Sequence, residues 1–258
     1  MLSYSPKDPA WSTSGVQAQT ISDDVIKIAV LSDMSGPYAD TAGRGSVEAT
    51  KMAVEDFGGT VAGKKIEIVF ADHQGKADVG ASRARTWFDT DGVDVVVDLN
   101  NSAVAMAVYN LAKERNKLVL TSGGASDALT SEACMATAIH YTYDTYAMAS
   151  GVAHAMLEKG KNDWYIMAVD YAFGKAGAET VTNIVTKGGG KIVGRTNFPL
   201  NASDFSSFML QAQESKASVV TLVSAGNDTI NAIKSAKQFG LMQKQTVAPQ
   251  FMFIQDVH

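Results

Sequence analysis

The feature that most constrains the fold is a pattern that occurs twice: an apolar, strand-like run breaks into a Ser/Gly loop, and a helical segment follows. Residues 26–31 lead into the loop 32–38 and then into a helix predicted from about 44 to 57. Residues 117–120 lead in the same way into the loop 121–126 and then into a helix predicted to begin at Asp127. In α/β folds such loops lie at the carboxyl ends of strands, where free backbone N–H groups and helix N-termini attract anions. The pattern therefore predicts an α/β protein that binds a small anionic ligand.

From residue 25 onward the chain alternates between strand-like and helix-like segments. Further strands are predicted at 65–70, 93–98, 164–169, 191–193, 218–223 and 250–254, and further helices at 78–90, 146–159, 174–187, 205–213, 228–239 and around Val104, Val108 and Leu111. Strands that are apolar throughout are typical of a parallel sheet covered on both faces. An extended segment at 139–143 interrupts the alternation, which then resumes.

This organisation predicts two doubly wound, Rossmann-like α/β lobes joined by crossing hinge segments, with a ligand cleft between them. The first lobe is expected at 25–138 and the second at 139–258, after a leader or disordered segment at 1–24. Residues 1–19 lack the apolar core of an intact secretory signal, although 16–18 have the small-x-small pattern of a signal-peptidase site. An altered leader and a coincidence both remain open.

Composition excludes several classes of function. The 258 residues carry a formal net charge of -5, and the longest basic run is the pair Lys64-Lys65, so no nucleic-acid partner is predicted. No apolar stretch approaches the roughly 20 residues that a membrane-spanning helix requires, so no membrane insertion is predicted. The single cysteine, Cys134, has no neighbouring Cys or His with which to form a metal site.

Known catalytic motifs are missing from the sequence. It contains no GxSxG, no GxGxxG after a strand, no GxxxxGK[ST] and no HExxH. The four histidines are scattered, and His73 beside Asp72 would point to the opposite face of a strand. We therefore predict no enzyme activity, no cofactor and no metal site, and keep a Rossmann-like enzyme only as an alternative.

A set of short motifs carries a resemblance to a known family. They are Met-Ser-Gly-Pro-Tyr-Ala at 34–39, Val-Glu-Asp-Phe-Gly-Gly at 54–59, Ala-Asp-His-Gln at 71–74, Asn-Asn-Ser-Ala at 100–103, Thr-Ser-Gly-Gly-Ala-Ser at 121–126, Asp-Thr-Tyr at 144–146, Asp-Tyr-Ala-Phe-Gly at 170–174 and Ala-Lys-Gln-Phe-Gly at 236–240. With these motifs, residues 26–258 resemble the type I periplasmic solute-binding proteins of ABC importers, in the branched-chain amino acid (Leu/Ile/Val-binding) branch.

The resemblance implies a periplasmic, monomeric protein that closes two lobes over a small carboxylate ligand and delivers it to the membrane permease of an ABC importer. The same fold also serves as the ligand-sensing module of regulators, for example as an amide or amino acid sensor, and this alternative stays open. Members of the family continue past the strand predicted at 250–254. The resemblance therefore implies that the return segment to the first lobe is absent and that apolar surface of that lobe is exposed.

The resemblance also implies which first-lobe residues bind the ligand. Its carboxylate would be received by the loop that contains Ser122, Gly124, Ala125 and Ser126, chiefly through the backbone of Gly124 and Ser126 and the Ser126 hydroxyl. Backbone N–H groups and hydroxyls suit this role because several donors converge on one anion. Further polar contacts would come from Asn101 and Ser102. Ser126 and Ser102 could instead only cap the helices that follow them.

Other candidates form the walls of the cleft. In the family an aromatic or apolar wall stands at the position of Tyr38, and Phe173 stands where branched-chain amino acid binders often carry Tyr. Asn227 and Asp228 follow a second-lobe strand, and Asp228 is the best-placed partner for a ligand ammonium, although the helix dipole favours an acidic residue there in any case. Tyr143 could line the cleft or pack as core.

Two ligand classes remain open. A branched-chain or other amino acid would need Asp228 for its ammonium, whereas an aromatic carboxylate would need only an apolar wall beyond the carboxylate site. Phe173 in place of Tyr slightly favours the aromatic acid.

Overall fold

The structure, a computed structural model, describes residues 24–257, and the first lobe is built on a sheet of six strands. Its elements are β1 Val25–Ser32, α1 Gly43–Phe57, β2 Thr60–Val61, β3 Lys64–Asp72, α2 Ala77–Asp89, β4 Val95–Asp98, α3 Ser102–Arg115, β5 Leu118–Thr121, a 3₁₀ turn Asp127–Thr130 and β6 Ala138–His140. The strand order is β2-β3-β1-β4-β5-β6, and only β2 pairs in the antiparallel direction.

The second lobe is built on a parallel sheet of four strands in the order β10-β9-β7-β8. Its elements are α4 Thr145–Glu158, β7 Asp163–Val169, α5 Ala172–Lys187, β8 Lys191–Phe198, α6 Ser206–Glu214, β9 Val219–Val223, α7 Gly226–Gln238, a 3₁₀ turn Leu241–Gln243, β10 Thr246–Pro249 and α8 Ile254–Val257. Two sheets flanked by helices confirm the predicted α/β fold of two doubly wound lobes.

Each lobe buries its central strands. All five residues of β9 are buried, and Trp164, Ile166 and Met167 of β7 are completely buried. In the first lobe, the helix α3 buries Val104, Val108 and other apolar residues against the sheet. Because removal of apolar surface from water drives folding, these continuous apolar strands fix the sheet at the centre of each lobe. The loops that follow the strands are thereby directed to one edge.

Three predicted elements differ from the structure. The last strand is not 250–254 but Thr246–Pro249, which pairs with β9 from Thr246↔Val219 to Pro249↔Leu222. Residues 250–253 lie in irregular backbone, and Phe251 packs into the second-lobe core. The helix that was predicted to begin at Asp127 is a single 3₁₀ turn. The segment at 139–143 begins inside β6, an edge strand that pairs with β5.

The proposed leader segment, 1–24, lies outside the described residues except for Asp24, as does His258.

Candidate ligand-binding site

The loops that follow the parallel strands of both lobes enclose a cavity of about 270 Å³. The first lobe contributes most of its polar lining, including Ser102, Ser122 and Asp98, and the second lobe contributes aromatic rings such as Phe173 and Phe251. The volume is near the lower end of the range for small-molecule sites. A cavity with one polar wall and one aromatic wall can hold a small organic molecule in a fixed orientation.

Ser102 is the point at which two first-lobe loops meet. It is the first residue of α3, which is capped by the Asn101 side chain accepting from the N–H groups of Ala103 and Val104. The Ser102 Oγ atom accepts hydrogen bonds from Ala125 N at 3.2 Å and Ser126 N at 3.0 Å. Ser102 also lines the cavity, and with two donors on its oxygen its hydroxyl is left to act as a donor.

Asp98 ends β4 in an unusual backbone conformation. Its φ is +82° and that of Leu99 is +56°, in the left-handed region that non-glycine residues seldom adopt. The Asp98 carbonyl accepts from the N–H groups of Ser122 and Gly123, and its Oδ1 accepts from Ser122 Oγ at 3.0 Å. Burial raises the pKa of Asp98, while nearby hydroxyls, that of Ser122 among them, oppose the rise. The carboxylate is therefore held rigidly at the cavity wall.

Asn100 ties together the loops after β1, β3 and β4. Its Oδ1 accepts from Asp33 N at 2.7 Å and bonds His73 Nε2 at 2.9 Å. Because Gly75 N donates to His73 Nδ1, the proton of the neutral imidazole belongs on Nε2, which donates to Asn100. Burial lowers the pKa of His73. These bonds position the cavity-lining face of Asn100, and they give His73 a structural role.

Aromatic rings close the cavity from the other side. The rings of Phe173 and Phe251 meet edge to face with centroids 4.7 Å apart, and Tyr143 lies 6.0 Å from Phe251 and 5.7 Å from Phe253. Burial raises the pKa of Tyr143 to about 12, with a further contribution from the Asp98 charge. The phenol therefore keeps its proton at neutral pH.

The two lobes touch beside the cavity. Tyr38 Oη of the first lobe and Tyr171 Oη of the second are 2.9 Å apart, and Asn227 N donates to Pro37 O at 3.3 Å. Burial raises the pKa of both tyrosines, so both hydroxyls remain protonated at neutral pH. Gly226 begins α7 with φ +56°, and a Cβ there would lie 2.5 Å from Pro37 O. The described conformation is thus a closed one.

Half of the predicted site residues line this cavity and half do not. Those that line it are Tyr38, Ser102, Ser122, Ala125 and Phe173. Asn101 instead caps α3, and Ser126 caps the 3₁₀ turn by accepting from Ala128 N. Gly124 is buried behind the lining. Asn227 contacts the other lobe through its backbone.

The structure does not bring the Asp228 carboxylate into the cavity. Its Oδ2 accepts from Asn201 N at 3.0 Å and its Oδ1 from Ala202 N at 3.1 Å. Burial raises the pKa of Asp228 to about 6, and these two backbone bonds oppose the rise. Asp228 therefore fixes a loop of the second lobe, and the predicted ammonium partner has its oxygens already occupied.

Sequence reasoning missed Asp98, Asn100, Tyr171, Phe251 and Phe253 as lining residues. The sequence contained one indication of Asp98, because it is an acidic residue at the end of the apolar run that forms β4. Phe251 and Phe253 were hidden within the strand wrongly placed at 250–254.

Within residues 24–257, no three His, Cys, Asp or Glu side chains are grouped so that they could hold a metal ion. In the same part of the chain, no helix has both the length and the apolar character needed to cross a membrane.

The chain is similar to known proteins in both sequence and structure. The family model described as periplasmic binding protein matches residues 25–258. A Leu/Ile/Val-binding protein homolog 6 of Brucella melitensis is 24% identical over 221 residues, which are 84% of this chain and 56% of the relative. A crystal structure of a periplasmic binding protein from Burkholderia mallei is 49% identical, with a TM-score of 0.89, over 91% of this chain and 63% of the other.

A third similar protein was solved with a ligand. It is an ABC transporter solute-binding protein from R. palustris in complex with 4-hydroxybenzoate, 23% identical, with a TM-score of 0.80, over 88% of this chain and 61% of the other. At this identity the likeness shows the fold alone. The chain spans less than two thirds of the length of each of these three proteins.

Proposed function

The chain belongs to the periplasmic binding protein family, and from that premise we propose that it is the extracytoplasmic solute-binding component of an ABC importer. Its partners would be a small-molecule ligand and the membrane permease that receives it. The names of the similar proteins support this role, since they describe a Leu/Ile/Val-binding protein homolog and a periplasmic binding protein. The proposed role is binding rather than catalysis.

The observation that carries the proposal is the cavity enclosed between two lobes in contact. Both lobes line it, and the bonds Tyr38–Tyr171 and Asn227–Pro37 join the lobes at its edge. Ligands of two-lobed proteins are held in this way by hinge closure, because residues from both lobes contact the ligand only when the lobes are together.

Ser102 is the proposed contact for the carboxylate of the ligand. A hydroxyl that accepts two backbone hydrogen bonds is polarised and becomes a stronger donor. The N–H groups of Ala125 and Ser126 would thus act through Ser102 and not directly on the ligand. Both an amino acid and an aromatic acid could present a carboxylate there, and the aromatic wall suits the apolar part of either.

A thermal-shift screen of the purified protein against amino acids and aromatic carboxylates tests this function. A ligand that binds only the folded state stabilises it by about 2.7 kcal/mol at a hundredfold excess over its Kd, which raises Tm measurably. We expect at least one member of the panel to raise Tm, and we expect Ser102→Ala to reduce that shift.

Two further variants make the result interpretable. Ser207→Ala changes an exposed serine of α6 and should leave the shift intact. Ser122→Ala removes a cavity hydroxyl that already donates to Asp98 Oδ1, so it should weaken the shift less than Ser102→Ala does. A cooperative melt that no panel member shifts would contradict the proposed function.

A further inference from the structure

Resting on the proposed binding function, we propose that Asp98 recognises the ligand by accepting a positively charged amino group inside the cleft. Asp98 Oδ2 is buried and makes no hydrogen bond of good geometry among the described residues, although the Ser32 and Ser46 hydroxyls lie near enough to the carboxyl group to oppose the rise of its pKa. None of the residues that line the cavity is Lys, Arg or His. A buried carboxylate with an unused oxygen, facing a space without a protein cation, is an arrangement that a cationic ligand would complete.

Comparison with the other buried aspartates of the cleft region separates a ligand role from a structural one. Asp33 is fully buried, and its two oxygens accept from Gly36 N at 2.8 Å and Tyr38 N at 3.1 Å. Both oxygens of Asp228 are likewise bonded to backbone N–H groups. Asp98 is 5% exposed but uses only one of its two oxygens. The fold therefore satisfies two of these carboxylates and leaves the one that lines the cavity half satisfied.

The aromatic wall favours the same sign of charge. The faces of aromatic rings carry partial negative charge and attract ammonium groups. Tyr143, Tyr171, Phe173 and Phe251 line the cavity together with Asp98, and both phenols keep their protons at neutral pH. An amino group between Asp98 and these rings would be attracted from both sides, whereas a carboxylate placed there would be repelled.

The first-lobe N–H groups near the cavity are already hydrogen-bonded within the protein, which limits how much a ligand carboxylate can add to affinity. Ala125 N and Ser126 N both donate to Ser102, and Ser122 Oγ donates to Asp98. An acceptor group of the ligand would thus find the Ser102 hydroxyl in place of a cluster of free donors. We expect the amino group to contribute more to affinity than the carboxylate does.

Matched probes measure separately what the amino group and the carboxylate of the ligand contribute to affinity. Leucine is compared with isocaproate, which lacks its amino group, and with isoamylamine, which lacks its carboxylate; phenylalanine, hydrocinnamate and phenethylamine form a second set. Calorimetric titration should give affinities for the amine-bearing probes at least tenfold higher than for the matched acids. Asp98→Asn should weaken the amine-bearing probes about 30-fold or more, since it removes one partner of a buried charge pair, and should not weaken the acids.

Asp228→Asn is the matched control, because it neutralises a second buried carboxylate that does not line the cavity. An amine-specific loss in Asp228→Asn but not in Asp98→Asn would overturn the proposal. Binding of the acids alone would also overturn it while leaving the proposed binding function intact. If a folded protein bound no probe of either set, the binding function would fail for these solutes, and the proposal would fail with it.

The stability of the ligand-free variant gives a second readout. Neutralising a carboxylate that the fold leaves half satisfied should leave Tm unchanged or raise it, as is common where a residue serves function at the expense of stability. Asparagine also tolerates the left-handed backbone of position 98. A clearly lower Tm for Asp98→Asn than for the wild type would mean that Asp98 serves the fold.

Discussion

At the scale of single residues, the buried polar groups around the cleft divide according to whether the protein bonds all their atoms. The side chain of Asn100 bonds Asp33 N and His73 Nε2, and both ring nitrogens of His73 are engaged. These residues hold loops in place. Asp98 is different because one of its oxygens is left for a partner.

The His73 environment predicts a loss of stability at mildly acidic pH. Nδ1 accepts from Gly75 N–H, so the folded protein resists protonation of the ring, and burial lowers the pKa of His73 below its usual 6.5. The unfolded chain binds that proton near pH 6.5, so the unfolded state holds more protons below this pH. The free energy of unfolding should therefore fall as the pH drops below about 6.5, by up to about 1.4 kcal/mol per pH unit.

Urea unfolding between pH 7.5 and pH 5.5 measures this slope. His73→Gln, which retains a donor for Asn100, should flatten it, and His154→Gln on α4 should not. Asp228 contributes with the opposite sign, because burial raises its pKa in the folded state to about 6, and stability therefore falls as the pH rises from the usual 3.8 of the carboxyl to about 6. Both histidine variants retain Asp228, so its contribution cancels when the pH slopes of their unfolding free energies are compared. Equal slopes in both would show that His73 does not titrate on unfolding.

At the scale of elements, most of the strands were predictable from sequence, because the strands of a parallel sheet covered on both faces are apolar throughout. The prediction misplaced β10, since Gln-Phe-Met-Phe-Ile at 250–254 has higher strand propensity than Thr-Val-Ala-Pro at 246–249. The choice is made by long-range pairing with β9 and by the packing of Phe251 at the cleft. No local pattern contains either interaction.

The candidate site was predictable to the same extent. Ser122 and Ala125 lie in a Ser/Gly loop that follows an apolar strand, and the resemblance to the periplasmic solute-binding proteins implied that they and Ser102 contact the ligand. The choice between Asp98 and Asp228 was not predictable, because both follow apolar strands. Only the bonds from Asn201 and Ala202 show that Asp228 is already satisfied.

The start of α7 gives a prediction about closure of the lobes. A Cβ on Gly226 would lie 2.5 Å from Pro37 O, the atom that accepts from Asn227 N across the cleft. Gly226→Ala should therefore disfavour the closed conformation and weaken ligand binding by about tenfold or more, since backbone atoms cannot move aside as a flexible side chain can. Calorimetry measures the affinity, and small-angle scattering measures the separation of the lobes.

Gly240→Ala is the control for this variant. Gly240 also has a positive φ, +69°, so alanine brings similar backbone strain, but nothing nearer than the Gln243 side chain at 3.8 Å would meet its Cβ. Both variants should lose stability, and only Gly226→Ala should lose affinity. Equal affinities in the two would show that the contact with Pro37 does not limit closure.

At the scale of the whole molecule, one face of the first lobe is apolar, and no other part of residues 24–257 covers it. A groove between α1 and the sheet is lined by Ile28, Ala53, Phe57, Ile66 and other residues, and Phe57 is 66% exposed. Contiguous apolar surface of this kind favours association with other apolar surfaces.

We expect this face to bind a hydrophobic dye. Phe57→Ser should lower the fluorescence of bound 8-anilinonaphthalene-sulfonate and reduce concentration-dependent self-association in sedimentation, while changing stability by no more than about 0.5 kcal/mol. Met242→Ser alters an exposed apolar residue of the second lobe and should have neither effect. Unchanged dye binding in Phe57→Ser would mean that the dye binds to a different apolar surface.

The hydroxyl bond between Tyr38 and Tyr171 has a consequence for the timing of ligand exchange. Because both partners are protein atoms, the bond stabilises the closed arrangement by the same amount whether or not a ligand lies in the cleft. The lobes must break it before a bound solute can leave, so the bond slows exit. Entry takes place in the open arrangement, where the bond is absent, so entry is slowed only as far as the ligand-free protein is closed. The two tyrosines would thus strengthen binding mainly by lengthening the residence time of a ligand.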